Sequence, residues 1–413
     1  MGFQQGLSGL NAASKSLEAT GNNVANANTV GFKSSQAQFA DVFASSLSGG
    51  GGGSTQVGIG VKVETVAQAF SQGNVTSSNN PLDLAINGGG FFRMDTNGSI
   101  AYSRNGQFSL DKNGAIINGN GAHLTGYIAN ANGVLSTGAP GNLVLSAADQ
   151  PPKQTGTVNA VLNLDSNKPN LPAAPAFQIN DPTTYSNATS VSVFDSLGVA
   201  HVLQTFFVKT APTAPSTFGT FDVYAATDDV ALSGGKIGTL QFKTDGSLVS
   251  NTPLTATIPI TNSASNPLVV SIDYTGTTQY GSVFSVNSLK QDGFASGRLS
   301  GFNTGPDGII TGRYTNGKST VLGQVALANF SNLNGLKPLG DNLWAESSAS
   351  GQPLVAPPGS GSLGVLQSSA VEDSNVDLTA ELVNLITAQR FYQANAQTIK
   401  TQDQVLQTLV NLR

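Results

Sequence analysis

At 413 residues the chain is long enough for two or three domains, and 39% apolar residues supply packed cores, which excludes global disorder. Only 10% of residues are charged and the net charge is −5, so the basic stripe of a nucleic-acid protein is missing. Cysteine is absent, which excludes disulfides, thiol catalysis and cysteine metal sites, and no run of 18 apolar residues offers a membrane span.

Residues 1–27 predict a helix. Phe3, Leu7, Leu10, Ser14, Leu17, Gly21 and Val24 step by four and three, which places them on one helical stripe. The helix should fray at Asn26 to Asn28 and stop by Gly31. Residues 28–70 then read as a connector. Phe32, Phe39 and Phe43 are apolar anchors on it, SGGGGGST at 48–55 is a flexible tether by composition, and Gly60 to Val63 is a short strand.

From residue 71 the pattern turns to β. Asn97-Gly98, Asn105-Gly106 and Asn113-Gly114 recur every eight residues and predict tight hairpin turns, since a type I′ turn needs positive φ at both central positions. The paired prolines Pro151 and Pro152 mark a boundary. Beyond it, strands are expected at 191–194, 199–209 and 221–225, with turns at 195–198 and 244–246. The earlier style returns near residue 288, with a turn at Asn316-Gly317, an apolar strand over 321–330 and a core anchor at Trp344. The predicted layout is nested and discontinuous: a core β domain of 71–150 and 287–367 around an inserted outer β domain of 151–286.

The last stretch, 374–413, predicts one long helix. Leu378, Leu382, Leu385, Gln389, Tyr392, Ala396, Ile399, Asp403, Leu406 and Val410 share one stripe, broken only by Gln389 and Asp403. Ser374 and Asp377 resemble a capping box. No Gly or Pro follows Val376, so the helix would run about 55 Å, and its stripe needs a partner. Residues 1–27 and 372–413 therefore form a terminal helical domain of coiled-coil type. The stripes of Phe3, Leu7, Leu10, Leu17 and Val24 and of Leu378, Leu382, Leu385, Tyr392, Ile399, Leu406 and Val410 are the candidate subunit-assembly residues. Self-assembly into a homo-oligomer and a helix pair that only closes a monomer both remain open. The expected fold class is mainly β with long α-helices at both termini.

No chemistry is legible. His123 and His201 each stand alone in a β pattern, and no nucleophile elbow accompanies them. Asn87-Gly88-Gly89-Gly90 lacks the following helix and Lys-Ser/Thr of a phosphate loop, and reads as a close turn. Asp228-Asp229 and Asp307-Gly308 have no calcium ligand ladder. The expectation is no enzyme, no cofactor and no metal.

Several stretches resemble one family. SGLNAASKSLEATGNNVANANTVGFK (8–33) is similar to the N-terminal signature of the bacterial flagellar axial proteins, the rod, hook and hook-associated subunits. LDLAINGGGFFRM (82–94) is similar to the opening of their core β domain. VLGQVALANFSNLNGLKPLGDNLW (321–344) and SVSVFDSLGVAH (190–201) match the family style, and 374–413 resembles its C-terminal signature. The order of these motifs is more specific than any one of them, and the added 151–286 region favours a hook subunit. The resemblance implies a structural subunit that assembles into a curved, flexible tube passing torque from motor and rod to filament. It implies as partners further copies, a distal rod protein, a hook–filament junction protein, a hook cap and the flagellar type III export apparatus, with no nucleic acid and no membrane insertion. It implies an extracellular place in the hook and basal body, reached without a cleaved signal. The alternatives are a distal rod subunit of the basal body and a β-rich surface adhesin.

Overall fold

The computed structural model describes residues 2–42, 58–146, 148–172, 176–212, 219–228, 230–249, 252–262 and 264–411. The expected anchor Phe43 and the tether at 48–55 lie outside them. The described chain is mainly β, with one long helix near each end: α1 at Gly2–Ala25 and α2 at Leu378–Asn411. It falls into two compact units. The first comprises Met1–Ala147, Gly301–Arg313 and Ser319–Arg413, the second Ala148–Ser300 and Tyr314–Lys318.

The first unit holds both helices and a 13-stranded sheet. Directly after α1, strands β1 (Ser35–Val42) and β2 (Gly60–Gln68) pair antiparallel, from Ser35 opposite Gln68 to Val42 opposite Gly60, with a bulge between Gln38 and Phe39. Only a short strand at 60–63 was expected in this connector. The β body packs Leu84, Ile86, Phe92, Met94, Leu124 and Leu327 into one core. Trp344 anchors a second with Phe91, Tyr102 and Phe330, edge-on to Phe91 and Phe70 at 5.6 and 5.7 Å. Its indole N–H donates to Gln68 at 2.7 Å, which ties the end of β2 to the body.

The Asn-Gly pairs divide by use. Asn97 (φ 53°) and Gly98 (φ 87°) form the two-residue turn between Phe91–Thr96 and Ser99–Ser103. Asn113-Gly114 sits in a longer loop whose amides from Asn113 and Ala115 are gathered by Asp111 Oδ1. Asn105-Gly106 is not a hairpin turn: the flanking strands do not pair, and Gly106 has negative φ. Its glycine serves close approach instead, because the Leu84 carbonyl lies where a Cβ would be. The apolar run at 321–330 is likewise two strands. Ser319–Val325 and Leu327–Asn329 pair with different neighbours, so the chain changes partner at Ala326.

The second unit is a sandwich of two four-stranded sheets. One orders Leu254–Ile258, Leu268–Asp273, Thr157–Asn163 and Ser285–Gln291. The other orders Asn187–Phe194, Ala200–Thr210, Gly219–Thr227 and Val230–Phe242. Alternation sends Val158, Ala160 and Leu162 inward from one sheet to meet Val193, Leu203, Phe207 and Phe221 from the other.

Candidate assembly surface of the terminal helices

α2 begins where Asp377 caps it. Asp377 Oδ1 accepts the amides of Thr379 at 2.9 Å and Ala380 at 3.2 Å. Ser374 Oγ meets only the Val376 amide, so Asp377 replaces the expected Ser374 box and the helix starts at Leu378. Its 34 residues span about 51 Å.

α1 and α2 pack antiparallel, but through small side chains. A Cβ on Gly6 would lie 2.9 Å from Ile399 Cγ1, and one on Gly9 would lie 2.5 Å from Asn395 Oδ1. Ala13 and Ala388 are buried, and Asn23 donates to Glu381 at 3.2 Å. The seam on α1 therefore runs through 6, 9, 13, 20 and 23, one residue away from the stripe of Phe3, Leu7, Leu10, Leu17 and Val24. One residue is about 100° of helix rotation.

This rotation decides what is left outside. Leu385 and Ile399 are partly covered, as are Leu10, Leu17 and Val24. Phe3, Leu7, Leu378, Leu382, Tyr392, Leu406 and Val410 are exposed, Leu382 at 49% and Val410 at 74%. Val383, Ile386, Phe391 and Val405, absent from the predicted stripe, are exposed beside them. Large apolar side chains recurring this often along one exposed helix go beyond the scattered single residues of an ordinary surface.

The base of the helices is fixed by a buried ion cluster. Glu372, 0% exposed, accepts from Lys33 Nζ at 2.6 Å, from Arg104 Nη1 at 3.0 Å and from the Gly73 amide at 2.9 Å. Lys33 also donates to the Ser71 carbonyl at 2.7 Å, and Arg104 donates to the Gly88 carbonyl and lies over the Phe91 ring. Burial pulls the Lys33 ammonium below its ordinary range against the attraction of Glu372, and the Arg104 guanidinium is lowered for the same reason. Two side-chain amides extend the junction. Asn23 pairs both ways with the Ser35 backbone, at 2.8 Å each, and Asn375 bridges the Ser34 amide to the Ala69 and Ser71 carbonyls. Gly31 (φ 72°) sits against the Asn105 backbone, with no room for a side chain. The segments leaving α1 and entering α2 are thus joined to the β body by polar contacts that no periodicity reveals.

Elsewhere, His201 is not isolated: its ring nitrogens lie 3.1 Å from Asp228 and 3.4 Å from Asp195. The turn at Asp195, the start of Ala200–Thr210 and the end of Gly219–Thr227 at Asp228 make this contact. Among the described residues no group of three His, Cys, Asp or Glu is arranged to hold a metal ion, and no helix is long and apolar enough to cross a membrane.

Residues 3–33 match the family described as flagella basal body rod protein, and 85–194 the flagellar hook protein FlgE/F/G D1 domain. Residues 163–294 match the flagellar basal body protein FlaE D2 domain, and 367–412 the flagellar basal body rod FlgEFG protein C-terminal. The chain is 41% identical over 418 residues to the flagellar hook protein FlgE of Escherichia coli (strain K12), covering all of both chains. The chain belongs to the flagellar hook protein family. It is 42% identical over 426 residues to the hook protein FlgE of Salmonella typhimurium, again over all of both chains. It is 31% identical to that of Borreliella burgdorferi, over 99% of this chain and 98% of the other. The crystal structure of Helicobacter pylori flagellar hook protein FlgE2 is similar with a TM-score of 0.55 at 13% identity, covering 72% of this chain and 100% of that one; it shows a shared fold.

In this hook-family chain the two terminal matches contain the helices and most of the ion cluster. Lys33 closes the first matched segment and Glu372 lies early in the last. A lone Lys after a Gly-Phe pair and a lone Glu before a helix gave no signal by spacing, since 339 positions separate them.

Proposed function

We propose that this chain is the structural subunit of the bacterial flagellar hook, assembling with copies of itself into a curved, flexible tube that passes torque from rod to filament. What carries the proposal is a helix pair that closes on itself through glycine, alanine and Ile399 while Phe3, Leu7, Leu378, Leu382, Tyr392, Leu406 and Val410 stay outside. The monomer has no use for that face, and a polymer buries it. Phe3, Leu7, Leu10, Leu17 and Val24 on α1 act in subunit contacts with Leu378, Leu382, Leu385, Tyr392, Ile399, Leu406 and Val410 on α2. The nested organisation assigns 1–27 and 372–413 to assembly, 28–70 to the connector, 71–150 with 287–367 to a core β domain, and 151–286 to an inserted domain that tunes curvature; the strand Ser285–Gln291 and the compact unit ending at Ser300 move the second boundary from 287 to about 301. The partners at the tube's ends are a distal rod protein, a hook–filament junction protein and a hook cap, and the subunit leaves the cell through the flagellar type III apparatus.

The division of roles has a direct test. Deleting 158–286 with a short bridge is expected to leave tubes that are straight or differently curved in negative-stain images. Tubes of unchanged curvature, or no tubes from a deletion variant that folds, would contradict it.

A further inference from the structure

The helix pair and the β1–β2 hairpin enclose a groove of about 490 Å³. Its floor is α1 at Ala19 and Thr20, one wall is α2 at Thr387, Ala388 and Phe391, and the other is β1 at Phe39. The small floor residues make it deep, and the two phenylalanines at its rim are 40% and 61% exposed. The volume seats several side chains but not a whole helix, whose diameter is about 10–12 Å. Ser16, Ser34, Ser35, Gln36 and Asn384 also line it, so it suits one face of a helix that carries amide and hydroxyl side chains beside apolar ones.

Among the described residues, α2 also carries a segment with no helix opposite. The antiparallel register set by Gly6 against Ile399 brings the described start of α1 level with about Asp403. Residues 404–411 run on for about 12 Å more. They expose Val405, Leu406 and Val410, and Leu406 and Val410, four apart, form one ridge. The segment QVLQTLVN carries no charge. The one charge lining the groove, Glu381, is already held by Asn23. Asn23 is a neutral amide and leaves that carboxylate charged, but Glu381 stands six residues, about 9 Å of helix, from Thr387, so a segment seated on Thr387 and Phe391 leaves it to solvent.

We propose that residues 404–411 of one copy dock into the groove of the next copy. The inference rests on the hook reading and names the contact within it. Groove and tail are different surfaces at different levels of one helix, so the proposed contact is heterologous rather than reciprocal: each added copy presents a fresh groove and a fresh tail, and growth stays open where the rotation between copies does not close into a ring. Copies related by rotation and translation about one axis keep their α2 helices parallel when α2 runs along that axis, and the docking takes that arrangement. Leu406 then meets Thr387 and Val410 meets Phe391, the same offset along the helix in both pairs.

The absence of cysteine makes a clean crosslinking test. Two variants of the full chain are prepared, one with Thr387→Cys and Leu406→Cys, the other with Phe391→Cys and Val410→Cys. Each is polymerised, oxidised and run on a denaturing gel beside its single-cysteine parents. The expected result is a ladder of dimer, trimer and higher species from at least one double variant, and no species above dimer from any single-cysteine parent. Dimers alone would mean a reciprocal antiparallel pair and would overturn the proposal. So would tubes from both variants without a ladder, which would leave the groove to another segment, such as 43–57 of the same chain, while the hook reading stands. Failure of the unaltered chain to form tubes would instead strike at the hook reading. If neither double variant forms tubes, Leu406→Asp in the unaltered chain decides: tubes at the unaltered critical concentration overturn the proposal, and a rise of tenfold or more upholds it.

Discussion

Replacing Glu372 by alanine is expected to lower the stability of the first unit by about 3–5 kcal/mol, the usual cost of leaving buried charge without its partner. Lys33 and Arg104 both lose their carboxylate, and neither has water to turn to, with side chains 0% and 4% exposed. For a unit of this size the change corresponds to roughly 10 °C in melting temperature. Glu372→Gln keeps the shape and removes the charge, so it should fall short of recovery. The cluster also joins the exit from α1 to the entry into α2, so loosening it should free the helices before the β body melts. Urea unfolding followed by circular dichroism, beside limited proteolysis at the helix junctions, measures both effects. A loss below about 1 kcal/mol would remove the cluster from any structural role.

The second large effect falls on assembly and spares the fold. Leu382→Asp combined with Ile386→Asp is expected to leave the monomer within about 0.5 kcal/mol of its parent, because both side chains are already half exposed. In a polymer each would bury its remaining half, worth about 0.8–1.5 kcal/mol. Removing both should raise the critical concentration for tube formation by about one to two powers of ten. Sedimentation of polymer, with circular dichroism of the supernatant monomer, reads the two quantities separately. Normal polymer from the double variant would place the assembly contacts elsewhere.

The two ends of the chain show what a sequence reveals and what it hides. The stripes of α1 and α2 marked two helices because apolar spacing depends only on neighbours along one element. Which face each helix turns to the other depends on Gly6 and Gly9, residues that a hydrophobic pattern scores as nothing. The seam therefore lies one residue from the stripe, and the stripe was left over for something else. The hairpin β1–β2 was legible only in part, since the bulge at Gln38/Phe39 breaks the alternation of β1 and both strands lean on α1, where Ser8 accepts from Val61 and Asn23 pairs with the Ser35 backbone. Val230–Phe242 was missed because Gly234 and Gly235 interrupt its pattern. Asn97-Gly98 was read correctly from local chemistry, whereas Asn105-Gly106 was not, because its glycine answers to Leu84, twenty-two positions away. Lys33, Arg104 and Glu372 are the extreme case, single charges brought together only by the finished fold.

The central claim is that this chain alone contains the surfaces needed to build a curved tube. Purified full-length protein, concentrated stepwise and imaged in negative stain, tests it most directly. Curved tubes of uniform diameter appearing above a sharp critical concentration are the expected result. A chain that stays monomeric, or stops at a closed oligomer, at every concentration reached would contradict it.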